Sequence, residues 1–169
     1  IENPSRLAPQ QLLFAHAALA VAKQDIFLHA NRAGRLSGTT LRAENTDTNL
    51  QFEDWHLRRM QRAETDVYEG RFAGEGFAVS FEASTQQPVI LRGEAGLSKK
   101  GPQAKQASYY YSRAPLHVNA SVVLGKQTQI LEGKAWLDHE WSSQLLMSGA
   151  VGWDWVGINL LDGGTLMAF

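Results

Sequence analysis

Residues Phe72 to Ala83 read FAGEGFAVSFEA. Phe77, Val79 and Phe81 alternate with Ala78, Ser80 and Glu82 after a Gly74–Gly76 turn. Successive side chains of an extended chain point to opposite faces, so this period of two predicts a strand with one apolar and one polar face.

Similar signals recur on both sides. Leu12 to Leu19 is alanine-rich enough for a helix, but the alternation of Phe14, His16 and Ala18 suits a strand, which is the favoured reading. Ile26 to Ala30 follows a turn at Lys23, Gln24 and Asp25, which makes the pair a hairpin. Asn31 to Gly38 reads as loop. From Asn49 the pattern is again extended, with Leu50, Phe52 and Asp54 on one face and Gln51, Glu53 and Trp55 on the other. Val89 to Leu91 is a short apolar run, and Gly93 to Gln106, rich in Gly, Lys and Gln and carrying Pro102, reads as a long exposed loop. Ala107–Arg113, Leu116–Leu124, Thr128–Leu137 and Trp153–Leu161 are further strand candidates, and the last resumes at Thr165. Gly125–Gln127 and Asp162–Gly164 carry hairpin-turn residues. Many short strands about ten residues apart, without a sustained helical period, predict an all-β fold, an antiparallel barrel or sandwich rather than a βαβ arrangement, with the barrel preferred.

Composition narrows the function. Sixteen Lys and Arg against 17 Asp and Glu give a net charge of −1, which lacks the basic footprint of a nucleic-acid binder. With no cysteine, disulfides, thiolate nucleophiles and Cys-ligated metals are excluded. No window reaches the roughly 20 apolar residues that a membrane-spanning helix needs. The sequence has no Gly-x-Ser-x-Gly, phosphate loop or dinucleotide fingerprint, since Gly74-Glu75-Gly76 lacks both the third glycine and the strand–helix setting. The five histidines form no tight two-His motif, so no protein-bound metal is expected. The chain begins at Ile1 without Met and ends at Phe169 within the apolar run Thr165–Phe169, which reads as a fragment.

Chemistry concentrates in Ala135 to Trp155. Trp136, Trp141, Trp153 and Trp155 lie there with Asp138, Glu140 and Asp154. If a strand continues to Trp141, period two sets Leu137, His139 and Trp141 on one face and Trp136, Asp138 and Glu140 on the other. By the same rule Asp154 joins Val156, Ile158 and Leu160, while Trp153 and Trp155 point the opposite way. Burial without a partner raises a carboxylic acid's pKa towards a range useful for proton donation, which makes Asp154 and His139 the acid–base candidates. The alternative is structural: Asp138 and Asp154 accept hydrogen bonds from indole or backbone N–H groups and fix the barrel end. In Tyr109-Tyr110-Tyr111, the outer two share a face and Tyr110 takes the other. Tyr110 and Tyr111 are ligand-binding candidates, although aromatic strand residues more often simply pack against neighbours.

Gly93–Arg113 (GEAGLSKKGPQAKQASYYYSR), Gly133–Trp155 (GKAWLDHEWSSQLLMSGAVGWDW) and the FAHAAL run Phe14–Leu19 resemble the AttH-like, carotenoid 1,2-hydratase superfamily. The resemblance extends over nearly the whole chain, and its specificity lies in the ordered combination. Members are similar to tandem lipocalin-like β-barrels and are longer than this chain. Residues 1–125 would then be a first barrel lacking its N-terminal strand, and residues 126–169 its closing strands or the start of a second. The resemblance implies acid-catalysed hydration of isolated carotenoid alkenes, or the shaping of polyenes for cycloaddition; other relatives are called hydrolases. For hydration, His139 and Asp154 match the acid–base roles, and Trp141 and Trp153, with Trp136, Tyr110 and Tyr111, the aromatic walls. Asp138 and Glu140 are secondary polar groups. No organic cofactor is implied. The expected partner is a hydrophobic small molecule, a polyene or terpenoid, and the expected location is periplasmic or secreted. The competing reading is a non-catalytic hydrophobic-ligand carrier or a structural module of the cell envelope.

Overall fold

The computed structural model describes residues 11–36, 39–143 and 149–169. The strands are β1 (Leu12–Val21), β2 (Ile26–Arg35), β3 (Leu41–Ala43), β4 (Asn49–Phe52), β5 (Trp55–Arg62), β6 (Thr65–Gly74), β7 (Phe77–Thr85), β8 (Ile90–Leu91), β9 (Leu97–Lys99), β10 (Ala107–Leu124), β11 (Gln127–Trp141), β12 (Val156–Asn159) and β13 (Thr165–Ala168). Every register observed among them is antiparallel, as the sequence predicts. Among the described residues no helix is long and apolar enough to cross a membrane.

The described chain folds as two compact units. The first comprises the chain as far as Ala83 with Val118–Glu132; the second comprises Ser84–His117 and Gly133–Phe169.

In the first unit, β1 and β2 form the expected hairpin, with Leu12 opposite Arg35 and Val21 opposite Ile26. A single 3-10 turn, Ala22–Gln24, joins them, and Asp25 completes it in the left-handed region at φ 52°. Strands β3 to β7 follow as neighbours in chain order. Alternation decides what goes inside: Phe52 faces Trp55 across β4 and β5, and Phe77 and Val79 share a face of β7. These four and Ala17 form the buried core, with Leu13, Leu19, Leu28, Leu41, Phe72 and Phe81 packed against it. Phe72 meets Trp55, Phe77 and Phe81 edge-on, with ring centroids 6.3–6.4 Å apart, a favoured aromatic geometry. Gly70 leaves room for this packing, because a Cβ there would lie 2.3 Å from the Phe81 ring.

Several sequence expectations need correction. Asn31–Arg35 belongs to β2 rather than to a loop. Its polar appearance misleads because Arg32 lies 4.4 Å over the Trp55 ring and bonds the Phe52 carbonyl at 2.9 Å and Asp54 at 2.7 Å. Residues 37 and 38 of that expected loop lie outside the described residues. Asp54 does not extend the strand through Phe52, since β4 ends there and β5 begins at Trp55. The expected loop Gly93–Gln106 contains β9, which pairs with β10 from Ala107 opposite Lys99 to Tyr109 opposite Leu97. Ala107–Arg113 and Leu116–Leu124 are one strand, β10, which runs on through Pro115. Proline removes only its own N–H from a ladder, so it did not have to end the strand. Finally, β12 starts at Val156, so Trp153, Asp154 and Trp155 precede it and the period-two assignment of their faces does not apply.

Candidate functional site

The second unit holds most of the candidates. Residues 144–148 of the Ala135–Trp155 stretch lie outside the described residues. Strand β11 runs to Trp141 next to β10, and the two strands present chemically different faces.

One face is aromatic with an imidazole. Tyr111 Oη and His139 Nδ1 are hydrogen-bonded at 2.8 Å. The His139 ring lies 5.1 Å from Tyr111 and 5.2 Å from Trp141. Trp141 stacks on Tyr109 at 5.6 Å and 21° between planes. Tyr109 and Trp141 are each about half exposed.

The other face is a polar network under aromatic rings. Ser108, Tyr110 and Ser112 alternate along β10 and are 2%, 5% and 0% exposed. Ser112 donates to Asp138 Oδ1 and accepts from Arg92 Nε at 3.0 Å. Trp136 Nε1 donates to the same Asp138 oxygen at 2.9 Å. Ser108 donates to Glu140 Oε1 at 2.5 Å, and Lys100 Nζ reaches that oxygen at 2.9 Å. Each carboxylate is thus held by one buried serine and served by one cation, directly for Glu140 and through Ser112 for Asp138. Above them, Trp155 Nε1 donates to Tyr110 Oη at 3.2 Å, and Trp155 meets Trp136 edge-on at 5.8 Å. Phe169 lies 5.6 Å from Tyr110, with Lys100 Nζ 3.9 Å from the Phe169 ring centroid, within cation–π range.

These surroundings set two protonation states. Burial pushes the Tyr110 hydroxyl above its ordinary range against the opposing Trp155 hydrogen bond, and the negative charges of Asp138 and Glu140 add to the rise. Tyr110 is therefore neutral at physiological pH. Burial also works to raise Glu140, but the hydrogen bonds from Ser108 and Lys100 outweigh it and hold that carboxyl below its ordinary range. Glu140 is therefore an ionised acceptor, unsuited to donating a proton near neutrality. A lowered folded-state pKa contributes stability that is present above the ordinary glutamate value and lost as pH falls through the lowered one. Glu140→Gln should accordingly flatten the acid limb of the stability curve, measured by urea unfolding from pH 7 to 3; a wild-type acid limb in the variant would contradict this.

The predicted candidates therefore divide. Trp136, Asp138, Glu140 and Tyr110 are together, joined by Trp155. His139, Trp141 and Tyr111 are together on the opposite face of the same strands. Trp153 is exposed, without a ring partner among the described residues, and Asp154 is exposed, without a hydrogen bond or ion pair among them. For Asp138 the geometry is the structural alternative, an acceptor of an indole N–H. Sequence reasoning missed Arg92, Lys100, Ser108, Ser112 and Phe169. The serines had a signal, being two residues either side of Tyr110 on one strand; Arg92, Lys100 and Phe169 are distant in sequence and had none.

Comparison with known proteins places this antiparallel all-β chain in a family. The AttH-like family matches residues 1–169, and the chain belongs to that family. A solved structure from Nitrosomonas europaea, provisionally named as an AttH (NE1406), is similar at 38% identity with a TM-score of 0.87, covering 97% of this chain and 50% of that one. The chain thus spans about half the length of that relative. No curated protein matches it.

Proposed function

We propose that the chain binds an apolar small molecule of polyene or terpenoid type against the Trp136–Trp155–Tyr110 rings. The observation that carries this reading is that both indole N–H groups are already used inside the unit, by Asp138 and by Tyr110. What these tryptophans have left to offer a ligand is ring surface, which favours hydrocarbon over polar contacts. Asp138, held by Ser112, fixes the Trp136 ring and Tyr110 fixes Trp155, and a pre-organised site loses less entropy on binding. All-trans-retinol is a suitable probe, because it takes up tryptophan fluorescence energy. Its titration should give saturable quenching, with Kd raised about tenfold or more by Trp155→Ala, the equivalent of about 1.4 kcal/mol, and unchanged by Trp141→Phe on the opposite face. Retinol that binds without saturation, or equally well to Trp155→Ala, would sink the reading.

Catalysis is a second reading, favoured by one observation: Asp154 stands between two exposed tryptophans with its carboxyl uncommitted among the described residues. An alkene hydratase needs a proton donor beside aromatic faces that shield the resulting cation. Asp154→Asn would then abolish hydration of a linear carotenoid while retaining ligand uptake, whereas unchanged turnover would remove Asp154 from that role.

A further inference from the structure

The first unit carries a concavity of about 320 Å³, open to solvent and lined by His56, Glu69, Arg71, Ser80, Glu82 and Asn119. Alternation puts it on the face of the sheet that turns away from the core. Along β6, Phe72 packs against the core and Gly70 against the Phe81 ring, so Glu69 and Arg71 point to the opposite face. His56 on β5 is the register partner of Arg71, and Arg71 Nη1 donates to Ser80 Oγ on β7 at 3.2 Å.

The charges in the concavity are divided. Arg71 makes no ion pair among the described residues, and its bond to Ser80 leaves other guanidinium N–H groups open to a ligand. Ser80, an acceptor in that bond, keeps its own O–H to donate. A guanidinium fork matches the two oxygens of a carboxylate. The carboxylates of Glu69 and Glu82 line the same concavity. Glu69 lies 3.5 Å from His56 and Glu82 2.9 Å from Arg62, and the two side chains are 47% and 44% exposed, so both remain within reach of a ligand cation.

This pattern selects the ligand's charge. A simple anion drawn to Arg71 meets Glu69 and Glu82, and a simple cation drawn to the glutamates meets Arg71, with like charges repelling at short range. A molecule carrying both charges is attracted at both ends. Glu69 and Arg71 are two residues apart on one strand, roughly 6–7 Å at Cα, close enough for one small molecule to touch both. A volume of about 320 Å³ stands at the lower end of the range for small-molecule sites, about 300–1,000 Å³, and suits a compact ligand.

We infer that this concavity is a site for a small zwitterion of the α-amino-acid type, its carboxylate on Arg71 and Ser80 and its ammonium on Glu69 and Glu82. The site lies wholly in the first unit and does not depend on ligand binding at the tryptophan rings.

The test titrates the 15N-labelled chain with three probes of one carbon skeleton: L-alanine, propionate, which lacks the ammonium, and ethylammonium, which lacks the carboxylate. The backbone amide signals of Arg71 and Ser80 should shift and saturate with L-alanine, at a Kd about tenfold or more below that of either other probe. Arg71→Gln should weaken L-alanine about tenfold and leave ethylammonium within about twofold. Glu69→Gln should weaken L-alanine and strengthen propionate, a pair of opposite responses that a general loss of structure does not produce. Circular dichroism checks that each variant is folded, and Glu82→Gln replaces Glu69→Gln if that one is not. Propionate or ethylammonium binding as tightly as L-alanine, unchanged L-alanine affinity in Arg71→Gln, or no saturable shift with any probe would overturn the inference.

Discussion

Trp55→Ala is expected to cost about 3–5 kcal/mol, the range for truncating a large aromatic in a core, and to show as a large fall in the urea midpoint. Three losses combine at this position. Trp55 is 5% exposed and central to the first unit's core. Its Nε1 donates to the Ala73 carbonyl at 2.9 Å, and its ring carries Arg32 at 4.4 Å. Since a domain's total stability is about 5–15 kcal/mol, this single substitution should remove a large share of it. Trp55→Phe separates the terms, because it keeps most of the buried area and loses the N–H; its cost should be no more than about half that of the alanine. A Trp55→Ala midpoint within error of wild type would contradict this account of the core.

Ser112→Ala should be nearly as damaging to the second unit, although it removes a single oxygen. Ser112 is the one side chain among the described residues that is fully buried, and its hydroxyl both receives from Arg92 and gives to Asp138. Hydrogen bonds to charged groups contribute about 1.5–3 kcal/mol each, so losing both is expected to cost about 2–4 kcal/mol. The loss should depend on the carboxylate: in a double-mutant cycle with Asp138→Asn, the two substitutions together should cost less than the sum of the singles. Simple additivity would mean that Ser112 and Asp138 do not act together. Retinol affinity should fall with Ser112→Ala as well, since Asp138 also anchors the Trp136 indole.

How far the sequence could be read follows the physics of each signal. Period-two alternation is local, so β7, the β1–β2 hairpin and the turns at Gly125 and Asp162 were legible from the residues alone. Strand β9 was hidden because Leu97–Lys99 is too short and too charged to show alternation, and pairing with β10 is what makes it a strand. Arg32 was hidden for a related reason: a cation stacked on an indole is indistinguishable in sequence from one in solvent.

At the candidate site, alternation correctly separates His139 from Asp138 and Glu140 along β11, and Tyr110 from its two tyrosine neighbours along β10. It could say nothing of Asp154, because the alternation rule needs a regular strand and the chain is irregular until Val156. Nor could it foresee the buried serines beneath the tryptophans. Serines read as surface or turn residues in a single sequence, and only the approach of β11 to β10 turns Ser108 and Ser112 into buried donors for two carboxylates.

The most direct test of ligand binding at the Trp136–Trp155 rings is a titration of the 15N-labelled chain with retinol, following the five tryptophan indole N–H resonances by NMR. The indole signals of Trp136 and Trp155, assigned by single Trp→Phe substitutions, should shift together and saturate at one equivalent, while that of Trp55 in the first unit's core stays in place. Saturable shifts confined to Trp141, or shifts spread over all five signals without saturation, would contradict it.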